Sequence, residues 1–396
     1  MVNIIFLLLF IYLAYSSAYF LLYALAGLFY KDKTGQNQKN NRIAVLIPGY
    51  REDSVIIDVA KNALRQSYPT DYYDVIVIAD SFMPQTVERL KSLPIKLIEV
   101  SFDKSTKAKS LNRAFNELGD GYDLGVILDA DNIMEHDFLH KINCHFTGEV
   151  TFIQGHRSAK NYNTSFAILD AISEEVNNHI FRKGHRVLGL SAALIGSGMA
   201  FDYKVMKQYM KEIKAVGGFD KELELILLRD GHTIHYLNDA LVLDEKIQHS
   251  GAFGGQRRRW LSAQFIYFSR NIGRGFVQLF TRLNIDFFDK VMQLALFPRV
   301  LLLGVGFLAA ILCLLVENFT TNQTFYYWFL IKPIYWYLLF GGIVAAFLLS
   351  IPRKFYSIKT LRASMSLPKG IMLMTLSLLR IRGANKKFIH TRHGSN

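Results

Sequence analysis

Residues 4–30, IIFLLLFIYLAYSSAYFLLYALAGLFY, run for 27 positions without a charge. At 1.5 Å per helical residue this exceeds the roughly 30 Å hydrocarbon layer, so the pattern predicts a tilted transmembrane helix within residues 1–30. Two later apolar runs, 295–316 with Arg299 and 326–352 with Lys332 and two prolines, flank the polar ENFTTNQTF and predict a helical hairpin. A last apolar stretch, 366–383, holds Lys369 and only ten uncharged residues before Arg380, which predicts an amphipathic segment lying in the interface. Between 41 and 250 the pattern changes. The runs IAVLIP (43–48), DVIVIAD (74–80), IKLIEV (95–100), LGVILDAD (124–131) and TFIQG (151–155) alternate with helical stretches. Short continuous β-branched runs of this kind predict an α/β domain with a mostly parallel sheet covered on both faces. Residues 255–283, including LSAQFIYFSRNIGRGFVQLF (261–280), predict an amphipathic helix along the membrane surface.

Composition supports this division: 51% hydrophobic residues in a 396-residue chain suffice for one core plus membrane spans. The formal charge is +13, from 46 basic and 33 acidic residues, and it collects beside the apolar runs. Lys31, Lys33, Lys39 and Arg42 follow the first run; Arg353, Lys354, Lys359 and Arg362 follow the third; Lys386 and Lys387 lie in the tail. By the positive-inside rule the domain and the tail 384–396 are cytosolic and the N-terminus is outside, an integral, multi-pass arrangement. Lipid thus explains the charge, and no nucleic-acid-binding module is present. Met-Val-Asn offers no basic n-region for a signal peptide. Cys144 and Cys313 show neither disulfide nor metal-ligand spacing.

Candidate chemistry lies at the ends of the expected strands, where open α/β sheets bind ligands. Asp129 and Asp131, at i and i+2, can meet one hard cation, Mg²⁺ or Mn²⁺, although Asp and Asn are also ordinary residues of a turn after a strand. Asp80 repeats the placement at another strand end. Neither GxxxxGK[ST] nor GxGxxG occurs, which disfavours a Walker NTPase or a dinucleotide enzyme. In QRRRW (256–260) a helix would set Gln256, Arg259 and Trp260 on one face, an amide, a guanidinium and an indole suited to a phosphate and a ring. Arg257 and Arg258 point elsewhere, toward lipid.

Taken in order, IPGYRE (47–52), VIVIADS (75–81), KAKSLN (107–112), LDAD (128–131), GGFDKELELILLRDG (217–231) and QRRRW resemble motifs of the membrane-bound family 2 glycosyltransferases over about residues 41–270. These are inverting, A-type-fold enzymes related to cellulose, chitin and hyaluronan synthases. The resemblance implies an A-type glycosyltransferase domain, a mixed and mostly parallel sheet, with transmembrane helices added. It implies that Glu52, Asp80, Lys107 and Asp129 bind a nucleotide-sugar donor, Asp80 at the base and Lys107 near the phosphates. Asp129 and Asp131 would carry the metal, and Gln256, Arg259 and Trp260 would close over diphosphate and acceptor. The family's Glu-Asp pair is incomplete: aligning ELELILLRDG with the family helix puts Phe219 at the glutamate and Asp220 at the aspartate. Asp220 is therefore the expected catalytic base and Glu222 the runner-up, while Asp220 is also suited to a helix N-cap. The implied activity is transfer from a UDP-linked sugar to a carbohydrate acceptor in polysaccharide synthesis. The alternatives are a lipid or lipid-phosphate acceptor, or an inactive scaffold. Three spans give little wall for a polar channel, which implies a homo-oligomer or an export partner for a polymer product.

Overall fold

The computed structural model describes residues 2–215, 217–246, 250–319 and 331–379, with the side chains of 2, 3, 250–257, 259 and 319 set aside. The expected tail 384–396 and most of the loop between the last two candidate spans, including Asn322, lie outside the described residues.

Helix α1 (Val2–Gly27) leads into a domain built as β1 (Ile43–Tyr50), α2 (Ile56–Ala63), β2 (Tyr73–Asp80), α3 (Pro84–Lys91), β3 (Lys96–Val100), α4 (Lys107–Leu118), β4 (Leu124–Ile127), β5 (Ile133–Met134) and α5 (Phe138–His145). It continues as β6 (Phe152–Ala159), α6 (Ser165–Asn178), a π-helical turn His179–Gly184, α7 (His185–Val187), β7 (Met199–Asp202), α8 (Tyr203–Met210), α9 (Phe219–Arg229) and β8 (Ile234–Asp244). One sheet holds all eight strands in the order β3-β2-β1-β4-β7-β6-β8-β5. Pairs β1–β2, β1–β4, β2–β3 and β6–β8 are parallel, while β4–β7, β6–β7 and β5–β8 are antiparallel. The sheet is therefore mixed, as expected. The period-2 alternation of strands sends Ala44, Leu46, Ile76 and Ile78 into one core and Ile43, Val45, Val75 and Val77 into the other, so both faces are covered.

Two strand expectations change. The fourth strand stops at Ile127 because the Asn132 side chain accepts the Asp129 N–H at 3.1 Å and the Asn132 N–H donates to the Asp129 carbonyl at 3.1 Å, closing a turn. The fifth runs on to Ala159 because, past an irregularity at Gly155/His156, it pairs with residues 241–244 of β8.

Beyond the domain come α10 (Ser250–Arg282), α11 (Ile285–Leu294), α12 (Arg299–Phe319), α13 (Pro333–Ser350), α14 (Ile358–Ser364) and α15 (Leu367–Leu379). Among the described residues α1, α12 and α13 are long and apolar enough to cross a membrane. Helix α1 also packs against the domain. Its C-terminal half packs on the π-helical turn, where His179 Nε2 donates to the Ala24 carbonyl at 2.8 Å and a Cβ on Gly184 would fall 2.2 Å from the Tyr23 carbonyl oxygen. Tyr19 and Tyr23 donate to Asp289 of α11 at 3.0 and 2.9 Å. Glycine at 184 lets the first span lie directly on the domain.

Candidate active site

Beyond the C-terminal ends of β1 and β2 the backbone is strained: Arg51 (φ 55°) and Ser81 (φ 59°) are non-glycine residues in the left-handed region. The Arg51 N–H donates to the Asp80 carbonyl at 3.1 Å and the Ser81 N–H to that of Val100 at 3.2 Å, which holds both turns. Asp80 is 1% exposed. Its Oδ1 accepts the Ser81 hydroxyl at 2.9 Å, while Oδ2 has no hydrogen-bond partner among the described residues. A buried carboxylate oxygen left open on a cavity wall calls for a ligand donor. Glu52 is buried and lines the same cavity.

The turn after β4 presents Asp129 and Asp131. Asn132, fully buried, donates to Asp131 Oδ1 at 3.2 Å and to Asp244 Oδ1 at 3.1 Å, and so gathers a third carboxylate from the end of β8. Oxygens of Asp129, Asp131 and Asp244 lie within 4.8 Å of one another. Three hard oxygen donors at this spacing fit Mg²⁺ or Mn²⁺ with positions left for water or phosphate.

Cations buried behind this cluster balance it. Arg157 of β6 lies 3.8 Å from both Asp129 and Asp244 and 2.9 Å from Glu174 of α6. Lys246 reaches Asp244 at 2.7 Å and Glu174 at 3.5 Å, and Arg182 from the π-helical turn lies 3.7 Å from Glu174. Burial alone would raise the carboxyl pKa values of Asp244 and Glu174; Arg157 and Lys246 outweigh it and hold both below the usual range. Asp244 and Glu174 are thus kept ionised at neutral pH.

Lys107, at the start of α4, ion-pairs with Asp129 and donates to the Gly196 carbonyl at 2.8 Å. Gly196 has φ +81°, and a Cβ there would stand 3.3 Å from the Phe219 ring and 3.5 Å from the Asp220 Cβ. Glycine therefore lets the start of α9 close in beside Lys107. Asp220 lines the cavity from this side, and among the described residues its carboxylate has neither a hydrogen bond nor an ion pair. It does not cap α9; Gly218 (φ 72°) occupies that position. Glu222 turns away, accepting the N–H groups of Lys214 and Ala215 at 3.1 and 2.8 Å. Trp260 of α10 is 40% exposed on the cavity rim, whereas the Gln256 and Arg259 side chains lie outside the described ones.

All of this opens on one cavity of about 800 Å³. It gathers Glu52, Asp80, Lys107, Asp129, Asp131, Asp220 and Trp260, and does not include Glu222. Asn132, Arg157, Glu174, Asp244 and Lys246 escaped the sequence reading. Only Asp244 carried a signal: LVLD repeats the apolar strand ending in a carboxylate seen at Asp80 and Asp129.

Residues 40–263 match the sequence profile described as "Glycosyltransferase like family 2". The chain belongs to that family. No curated protein sequence matches it. Among solved structures, a mannosyltransferase from Pyrobaculum calidifontis bound to GDP-Man and Mn²⁺ is 14% identical, with a TM-score of 0.52 over 88% of this chain and 99% of its own. Glucosyl-3-phosphoglycerate synthase from Mycobacterium tuberculosis, solved with Mn²⁺, UDP-Glc and phosphoglyceric acid, is 14% identical, with a TM-score of 0.40 over 56% of this chain and 78% of its own. TarS from S. aureus is 13% identical, with a TM-score of 0.37 over 56% and 39%. The first of these shares the fold of this family 2 chain, an A-type glycosyltransferase domain with added apolar helices.

Proposed function

We propose that this glycosyltransferase moves a sugar, with inversion, from a nucleoside-diphosphate donor to an acceptor hydroxyl at the cytosolic membrane face. The observation that carries this reading is the placement on one cavity of the Asp129–Asp131–Asp244 cluster and of Asp220, whose carboxylate has no partner among the described residues, the two joined through Lys107 and Gly196. Asp80 receives the base, and UDP is the donor nucleotide that the sequence resemblance favours. The acceptor oxygen attacks the anomeric carbon and forms the new C–O bond. The anomeric bond to the diphosphate breaks, its electron pair leaves with the nucleoside diphosphate, and the hydroxyl proton passes to Asp220. One base and no second nucleophile suit inversion. Lys107 supplies positive charge beside the departing diphosphate, and a divalent cation held by the aspartates adds to it when bound.

Positive charge beside the candidate spans supports a cytosolic domain. The outward-facing Phe276, Val277 and Phe280 suit α10 to the bilayer surface. The resemblance favours a carbohydrate acceptor entering past Trp260, while the apolar residues that line the same cavity as Asp220 suit an amphipathic one. The purified chain tested against UDP-glucose, UDP-N-acetylglucosamine and GDP-mannose should release nucleotide with at least one donor in Mn²⁺ and lose that release in chelator. Chelator-resistant release would overturn the role of the aspartate cluster.

A further inference from the structure

The cavity that holds the donor residues does not end at the domain. It continues between the membrane helices, where Phe20 of α1, Ile172 of α6, Val300 and Leu303 of α12, Phe347 of α13 and Met374 of α15 line it. Three of these helices are the candidate spans. Helix α6 joins the two parts: Glu174 binds Arg157 behind the aspartates, and Ser173 and Asn177 accept the Arg299 guanidinium at 3.5 and 2.6 Å where α12 begins. The short helix α15 closes the arm, with Ile371 packed 3.2 Å from a Cβ built on Gly304.

We propose that the acceptor is a membrane lipid with a hydroxyl-bearing head group, its chain lying in this arm and its hydroxyl at Asp220. The inference rests on the transferase reading and names the substrate class of that site. Two features select this occupant. A polysaccharide carries hydroxyls on every ring, and the side chains of Phe20, Ile172, Val300, Leu303, Phe347 and Met374 offer them no hydrogen-bond partner, whereas a hydrocarbon chain loses nothing against these walls; the polar lining from Ser173, Asn177 and Arg299 suits a head group. The arm is also walled by the three candidate spans, the part of the chain suited to lie among bilayer lipids. The head group is an alcohol rather than a phosphate because the nucleophile meets Asp220, whose carboxylate is free of protein partners among the described residues. An alcohol needs that base. A phosphate oxygen is already anionic, needs no base, and would be repelled by the Asp220 carboxylate it has to approach.

The test uses the full chain in the membranes in which it is made, with radiolabelled UDP-glucose, UDP-N-acetylglucosamine and GDP-mannose, followed by chloroform–methanol extraction. Label should enter the organic phase and survive mild acid, as an alkyl-type glycoside does and a glycosyl phosphate does not. Label confined to water-soluble or insoluble polymer would overturn the lipid acceptor, and acid-labile organic label would overturn the alcohol head group. No nucleotide release and no transfer of labelled sugar with any donor would mean that the transferase reading itself has failed. Leu303→Trp, which fills the arm, should lower the ratio of lipid transfer to nucleotide release at least about tenfold. Leu308→Trp, on the outer face of the same helix, should leave that ratio unchanged. Equal ratios in the two variants would place the acceptor elsewhere.

Discussion

The two ends of the cavity are built in different ways. The end proposed for the donor is made of strand termini: Asp80 and Asp244 close apolar strands, Asp129 follows one, and short hydrogen-bonded turns fix them. Its residues come from a rigid sheet, so their geometry is set before any ligand arrives. The apolar end is made of helix faces from α1, α6, α12, α13 and α15, brought together from across the chain. One end supplies chemistry through a few exact positions, and the other supplies shape and polarity through many replaceable ones.

Substitutions should separate these ends. The largest effect is expected at the donor end, where Asp131→Ala removes a buried carboxylate of the cluster. Nucleotide release in Mn²⁺ should fall at least about 10³-fold while the protein still inserts and elutes as wild type. Retained release would show that the cluster does not serve the donor. Next is Asp220→Asn, nearly isosteric, which should lower kcat about 10²-fold or more with donor affinity changed by less than about threefold, because proton acceptance matters only in the transition state.

A third effect is gated by pH and tests how the ends are joined. Glu175 of α6 is held by His156 of β6 at 3.1 Å and by Lys354, after the third span, at 2.8 Å. Burial would raise its pKa, but these contacts outweigh burial and bring it down to about 2. A depressed carboxyl stabilises the fold fully above its ordinary value of 4.5, and that stability is lost as pH falls toward 2. Thermal melts of the solubilised protein should therefore steepen below pH 4.5, and Glu175→Gln should flatten that slope. An unchanged slope would remove the link. The smallest effect is expected from Glu222→Gln, about 1 kcal/mol of stability from the weakened hold on the Lys214 and Ala215 N–H groups, with kcat within about twofold. If Asp220→Asn and Glu222→Gln exchange these outcomes, the base is Glu222.

The same contrast explains what could be read from the sequence. Strands β1 to β4 are continuous β-branched runs, and their terminal carboxylates stand out against them, so the parallel half of the sheet and Asp80, Asp129 and Asp131 were legible. Strand β7 has four residues, and β8 is interrupted by Asn238 and Asp239, so neither run advertises a strand. Arg157 looks like a surface charge in QGHRSA until folding sets Glu174, 17 residues on, against it. The candidate spans were legible as long, nearly charge-free apolar runs. That α1 and α12 would wall a cavity was not, because hydropathy does not say which face of a helix meets what.

Stereochemistry tests the central claim most directly. Nucleoside diphosphate release and sugar transfer should be measured together on the purified full chain with its accepted donor, and the product's anomeric configuration read by NMR. The account predicts one nucleoside diphosphate per sugar transferred and a configuration opposite to that of the donor. Retention of configuration, or nucleotide release from no donor in Mn²⁺, would contradict it.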